Sequence, residues 1–303
     1  MDQRTMELVL KYYRKKYCLS QEEVCDGLCS VATLSRLEQG EREIDSLLGQ
    51  ALLGRLGKEV TLFETILNEE DLGLWKVRTA IENDVKKNEY EAAKEKIGEY
   101  RKIMPETGLV HEQFCLYQES LMMEEKNEPT EQLCETLERA VRLTISDFGT
   151  ETRKKRLYSP IEIEMIRLLL HYDFSKENIS ERELLKVLDY VETYYSGQKM
   201  EQTGTKILLE LIFLHKRRGD HQRIMLYTDK AIDFISRGTG FFYLADLYFL
   251  RAKTRGELFL KKSAEECKIA YNLYLLEEKK NKAEEVKIFC EEVLKCPITE
   301  PVM

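Results

Sequence analysis

Apolar residues recur at three- and four-residue intervals through most of this chain, a spacing that favours helices and leaves strands little support. The clearest unit is LWKVRTAIENDVKKNEYEAAKEKIGEYRKIMP, residues 74–105. There one helix should end at Asn88, Tyr90 should pack the turn, Ala93 should let two helices approach closely, and Pro105 should stop the second helix. A similar pair is expected over 205–238, with the turn Arg218-Gly219-Asp220-His221 and Ala231 at the small position. Residues 109–146 and 159–196 read as two more pairs, with turns near Asn127-Glu128-Pro129 and Lys176-Glu177-Asn178. A fifth pair would use 240–255 and 262–278, and 281–295 should form a final helix with a polar outer face. Helical hairpins that cannot bury their faces singly are expected to stack, and a degenerate period of this kind is the trace of stacking.

The first forty residues follow a different pattern. Ser20 is placed to cap a short helix over Gln21–Asp26, with Glu23 three residues on as its capping-box partner. Gly27 should break that helix. Ser30 should cap a second helix, in which Leu34 and Leu37 face inward, and Gly40 should end it. Two short helices around a tight turn are a helix-turn-helix, and the second is the candidate recognition helix for DNA. Residues 59–73, EVTLFETILNEEDLG, begin apolar and turn acidic, which suggests a short helix followed by a hinge joining head to hairpins.

Composition narrows the class. Five prolines and fifteen glycines in 303 residues are few, and the length suits about two domains, set here at 1–68 and 69–303. No apolar run approaches the roughly 18–20 residues of a membrane span, so the expected location is the cytoplasm. The eight cysteines lack a metal-ligand spacing, which implies no metal and no cofactor. Charge complicates the DNA reading: the chain is net −8, and residues 1–60 hold nine Lys/Arg against ten Asp/Glu. Affinity for DNA comes largely from neutralised phosphates, so a single weakly acidic head should bind modestly and two copies should act together as a homodimer. The positive charge is nonetheless grouped, with Arg4, Lys11, Arg14, Lys15 and Lys16 near the first helix and Arg36 and Arg42 about the end of the recognition helix.

The stretch LSQEEVCDGLCSVATLSRLEQG, residues 19–40, resembles the repressor-like (Cro/C1, XRE-type) helix-turn-helix, and the resemblance covers roughly the first sixty residues. Gly27-Leu28-Cys29-Ser30, followed by Glu38-Gln39-Gly40-Glu41-Arg42-Glu43-Ile44, is similar to the peptide-pheromone regulators grouped as RRNPP. The hairpins resemble tetratricopeptide repeats. The two resemblances imply an all-α protein: a repressor-like head followed by a right-handed α-solenoid of about five degenerate tetratricopeptide-like hairpins. They imply an ion pair between Arg14 and Glu38, and contacts to double-stranded DNA shared among Gln21, Ser30, Val31, Ala32, Thr33, Ser35 and Arg36. Gln21 would hold phosphate, and the small residues would let the helix enter the major groove. They imply too that a short signalling peptide binds a concave face, for which the candidate residues are Arg78, Gln118, Lys206, Phe213, Arg217, Tyr243 and Asp246. Cations, aromatics and a carboxylate suit a peptide, whose backbone needs polar partners and whose side chains need apolar pockets.

No catalytic pattern accompanies the four histidines, which are dispersed, with no nucleophile motif or phosphate-binding loop beside them. The expected function is therefore a transcriptional regulator, dimeric and not an enzyme, whose C-terminal hairpins sense a peptide. The alternative is a protein-interaction scaffold whose head has lost sequence-specific DNA binding; the acidic head and the absence of Lys, Gln or Asn at Val31 and Ala32 favour it.

Overall fold

The computed structural model describes residues 3–41, 45–58, 68–105, 108–150, 156–173, 177–236, 241 and 243–298, and every regular element among them is helical. Among the described residues the head shows four helices: α1 (Gln3–Lys16), α2 (Gln21–Cys25), α3 (Val31–Gln39) and α4 (Ser46–Arg55). Ten more make five hairpins: α5 (Glu69–Lys86) with α6 (Tyr90–Ile103), α7 (Leu109–Glu125) with α8 (Thr130–Thr144), and α9 (Pro160–Tyr172) with α10 (Glu177–Tyr194). The fourth and fifth are α11 (Gly197–Arg218) with α12 (His221–Ser236), and α13 (Leu244–Arg255) with α14 (Leu260–Leu276); α15 (Lys280–Glu292) ends the series.

The hairpin turns use residues that tolerate the left-handed conformation. Asn88, Asn127 and Gly219 each follow the first helix of a pair with φ of 63°, 52° and 69°. Small residues then let the second helix close on the first: Ala93, Ala140, Ala231 and Ala270 are all fully buried. In the first hairpin Leu74, Ile81, Ile97 and Tyr100 join Phe114 of α7 in one core, so each pair finishes burying its apolar face on the next. In the last, Phe249, Cys267, Tyr271 and Tyr274 pack on Val286 and Cys290 of α15.

The chain divides into two compact units, Met1–Tyr190 and Val191–Met303. Within the first unit α4 is packed against the hairpins. Its Ala51, Leu52 and Leu53 are buried, it lies against α7 and α9, and the Tyr190 hydroxyl donates to the carbonyls of Gly54 (2.9 Å) and Arg55 (3.1 Å). Of the expected helix and hinge at 59–73, residues 59–67 lie outside the described residues. The acidic stretch after them is the first turn of α5, where Glu69, Glu70 and Asp71 meet the positive end of the helix dipole and Asn68 caps it, accepting the Asp71 N–H at 2.8 Å.

Candidate nucleic-acid interface

Both helices of the reading motif start with satisfied donors. The Ser20 hydroxyl accepts the Glu23 N–H at 3.1 Å while the Glu23 carboxylate takes the Ser20 N–H at 2.6 Å, a complete capping box. Ser30 Oγ accepts the Thr33 N–H at 3.0 Å and also meets Thr33 Oγ1 at 2.9 Å. Gly40, at φ 76°, closes α3, and the Glu41 N–H reaches back to the Arg36 carbonyl at 2.9 Å. Leu34 and Leu37 anchor α3 inward, which leaves Val31, Ala32 and Arg36 exposed and Thr33 and Ser35 half-exposed.

Arg14 and Glu38 set the angle between α1 and α3. Arg14 grips both carboxylate oxygens at 2.6 Å and donates a third bond to the Leu19 carbonyl at 3.1 Å. Burial by itself would raise the Glu38 carboxyl, but the hydrogen bonds from Arg14 and then Gln21 outweigh it and hold the group below the ordinary carboxylate range. Gln21, expected to face phosphate, is half-exposed and donates from its amide Nε2 to Glu38 Oε2 at 2.9 Å, which helps to position the ion pair. Ser35 Oγ accepts from Gln39 Nε2 at 3.3 Å. Arg36 has no ion-pair partner among the described residues, and Lys15 and Lys16 are exposed on α1; Arg42 lies outside the described residues.

Two buried polar networks fasten this head to the hairpins of its own unit. In the first, Arg55 at the end of α4 donates to Glu162 at 2.7 and 3.3 Å and to the carbonyls of Val24 (3.4 Å) and Asp26 at the reading turn. Glu162 also receives Thr144 Oγ1 and the Ser159 N–H, each at 2.6 Å. Gly27 explains how close this seam is: at φ 72°, a Cβ there would sit 2.0 Å from the Thr144 carbonyl oxygen.

The second network starts at Asp45, the α4 N-cap, which meets His111 Nε2 at 3.1 Å while His111 Nδ1 bonds the Tyr100 hydroxyl. Arg78 donates to Tyr100 (3.0 Å) and to Ser46 Oγ (2.8 Å), and Ser46 in turn donates to Asp71. Burial pushes the Tyr100 phenol up to about 12, so it stays a neutral donor and acceptor at the centre. None of these seam contacts has a sequence signature, apart from the Ser159-Pro160-Ile161-Glu162 capping box that announces the start of α9.

The residues expected on a peptide-binding face scatter. Arg78 is buried in the second network and Gln118 is 5% exposed, so neither offers an open side chain. Asp246 is engaged by Tyr274 (2.8 Å) and Lys282 (2.7 Å), and Arg217 lies over the half-exposed Phe213 ring. Lys206 and Tyr243 do come together: with Ile235 and the α11 residues Gln198, Glu201, Gln202 and Thr205 they line a cavity of about 220 Å³ in the second unit. Glu201 and Thr205 were not anticipated, since a carboxylate and a hydroxyl four residues apart on a helix are ordinary in sequence. No cluster among the described residues could hold a metal ion, and no described helix is long and apolar enough to cross a membrane.

This geometry defines a helix-turn-helix head carried by helical hairpins, and the family model described as Helix-turn-helix matches residues 10–63. Over nearly the whole chain the fold is that of the apo form of ComR from S. thermophilus, at 18% identity, covering 94% of this chain and 99% of that one with a TM-score of 0.51. Also similar are PlcR of Bacillus thuringiensis, solved with the peptide PapR7 and DNA (14% identity, 92% and 98% covered, TM-score 0.48), and the SHP pheromone receptor Rgg2 of Streptococcus dysgalactiae (13%, 93% and 97%, 0.47). No curated protein sequence matches the chain.

Proposed function

We propose that the protein is a cytoplasmic, dimeric transcriptional regulator that reads operator DNA with α3 and responds to a short signalling peptide bound by its C-terminal hairpins. The observation that carries the DNA half is α3 itself: both reading helices are capped, and Val31, Ala32 and Arg36 stand exposed within a segment matching the helix-turn-helix family. Small residues at the start of α3 suit close approach to base edges, with Val31 or Thr33 against thymine methyls and Arg36 on phosphate. So few bidentate side chains leave DNA shape to supply much of the specificity. Support for the peptide half comes from the cavity shared by Lys206 and Tyr243 and from the resemblance to peptide-pheromone regulators. The protein is not an enzyme.

Selection of duplexes from a random pool by the full chain, followed by anisotropy titration at several salt concentrations, tests the reading. It should enrich a two-fold-symmetric site whose halves lie about 34–36 Å apart, or a multiple of that. Failure to enrich any duplex at low salt would favour the scaffold that retains a head without sequence-specific binding.

A further inference from the structure

The cavity between α11, α12 and Tyr243 holds two polar groups that the fold itself does not use. Glu201 is only 8% exposed, yet its carboxylate has no hydrogen bond or ion pair among the described residues. Thr205, one helical turn on and on the same face, is 2% exposed, and its Oγ1 has no partner. A buried threonine on a helix ordinarily turns its hydroxyl back onto the carbonyl four residues earlier. Thr228 and Thr254 of the same unit do so, onto Ile224 at 2.7 Å and Leu250 at 2.8 Å. Thr205 does not, and the space before it is the cavity.

A carboxylate this little exposed with no counter-ion among the described residues, beside a buried hydroxyl with no partner there, is costly in this cavity. Its walls are mostly apolar: Ile235 is buried to one side and the Tyr243 ring stands at another, with Lys206 on the lining as well. We propose that this cavity receives the amino-terminal residue of the peptide. The α-ammonium donates to Glu201, Thr205 Oγ1 takes a further N–H of the same residue or donates to its carbonyl, and an aliphatic side chain packs on Ile235 and Tyr243. Lys206 is placed to donate to a peptide carbonyl. The assignment rests on the peptide-sensing reading above and adds to it the end of the peptide that is recognised and the group that reads it.

The probe is L-leucinamide, which carries the ammonium and an aliphatic side chain, with N-acetyl-L-leucinamide as the uncharged control and Nα-acetyl-L-lysinamide as the side-chain ammonium. Binding to the full-length protein is read by calorimetry and ligand-observed NMR. Leucinamide should bind, and acetylation should weaken it at least about tenfold, the scale of a lost charge-assisted hydrogen bond. Glu201→Gln should weaken leucinamide to a similar extent and leave acetyl-leucinamide unchanged, whereas Thr205→Val should cost a few-fold. Glu201→Gln should also leave the ligand-free thermal midpoint unchanged or raise it, since the carboxylate has no partner among the described residues. Equal binding of the acetylated probe, a preference for the lysinamide, or a lowered midpoint in Glu201→Gln would each overturn the assignment. Operator binding by the same variants separates the two readings: leucinamide recognition lost with DNA binding intact retains the regulator, and leucinamide recognition in a chain that binds no DNA retains the cavity alone.

Discussion

Arg55 offers the sharpest test of how the head is held. Its side chain is 2% exposed and that of Glu162 is 0% exposed, so Arg55→Met leaves a carboxylate in the seam with no cation. Thr144 Oγ1 and the Ser159 N–H still reach Glu162, but the carbonyls of Val24 and Asp26 lose their donor. Breaking one side of a buried pair costs roughly 3–5 kcal/mol, which for a unit of this size lowers the melting midpoint by about 6–20 °C. The loss should be shared, because the bonds span α2, α4, α8 and α9. Circular dichroism melts measure its size, and amide exchange should show residues 21–27 and 160–172 losing protection together. Replacing both partners, Arg55→Met with Glu162→Leu, should recover a good part of the stability, since the isolated charge is gone. A single variant within 1 kcal/mol of the parent, or faster exchange confined to the reading turn, would refute a seam that binds head and hairpins into one cooperative body.

The remaining predictions probe the reading head. Gly27→Ala should destabilise by more than about 1 kcal/mol, read from the urea midpoint, because the left-handed turn and the Thr144 carbonyl both exclude a Cβ; an unshifted midpoint would mean the seam yields freely. Arg36→Ala should weaken binding to operator and to unrelated duplex by the same factor and reduce the salt slope by about one; loss confined to one base position would make it a base reader. The stability that Arg14 and Glu38 contribute is fully present above the ordinary carboxylate pKa of about 4 and is lost as pH falls through the lowered value of Glu38. Parent and Glu38→Gln acid-unfolding curves should therefore separate at neutral pH and converge in acid, and a constant gap would contradict the linkage.

Local features of the fold were legible in the sequence. Ser20 with Glu23, Ser30 and Gly40 mark the reading helices because capping is a matter of neighbours three residues apart. Asn88, Asn127 and Gly219 mark hairpin turns for the same reason. The contacts that make the head part of the first unit were not legible, since Arg55 and Glu162 are 107 residues apart and nothing in either neighbourhood distinguishes a buried ion pair from a surface one. Arg78 illustrates the consequence: helical spacing put it on an open face, and the structure buries it against Ser46 and Tyr100. The bond from Gln21 to Glu38 was equally out of view, since the two lie 17 residues apart. Glu201 and Thr205 stand out only once burial and the absence of partners are known.

The burial of α4 bears on how such a reader can be re-engineered. A graft that exchanged residues 1–68 for another head would carry in a foreign α4, with no Arg55 for Glu162 and a different backbone opposite Thr144. The recipient would then have to accommodate a mismatched joint as well as a new specificity. Changing the sequence preference by rewriting the outer positions of α3 avoids this, because Val31, Ala32, Thr33, Ser35 and Arg36 take no part in the joint. By the same logic a transplant meant to keep the reader folded should run at least to Tyr190, whose hydroxyl bonds the Gly54 and Arg55 carbonyls of α4. On the proposed reading of α3, operator choice would be written on a surface that can vary freely, beside a junction that admits little variation.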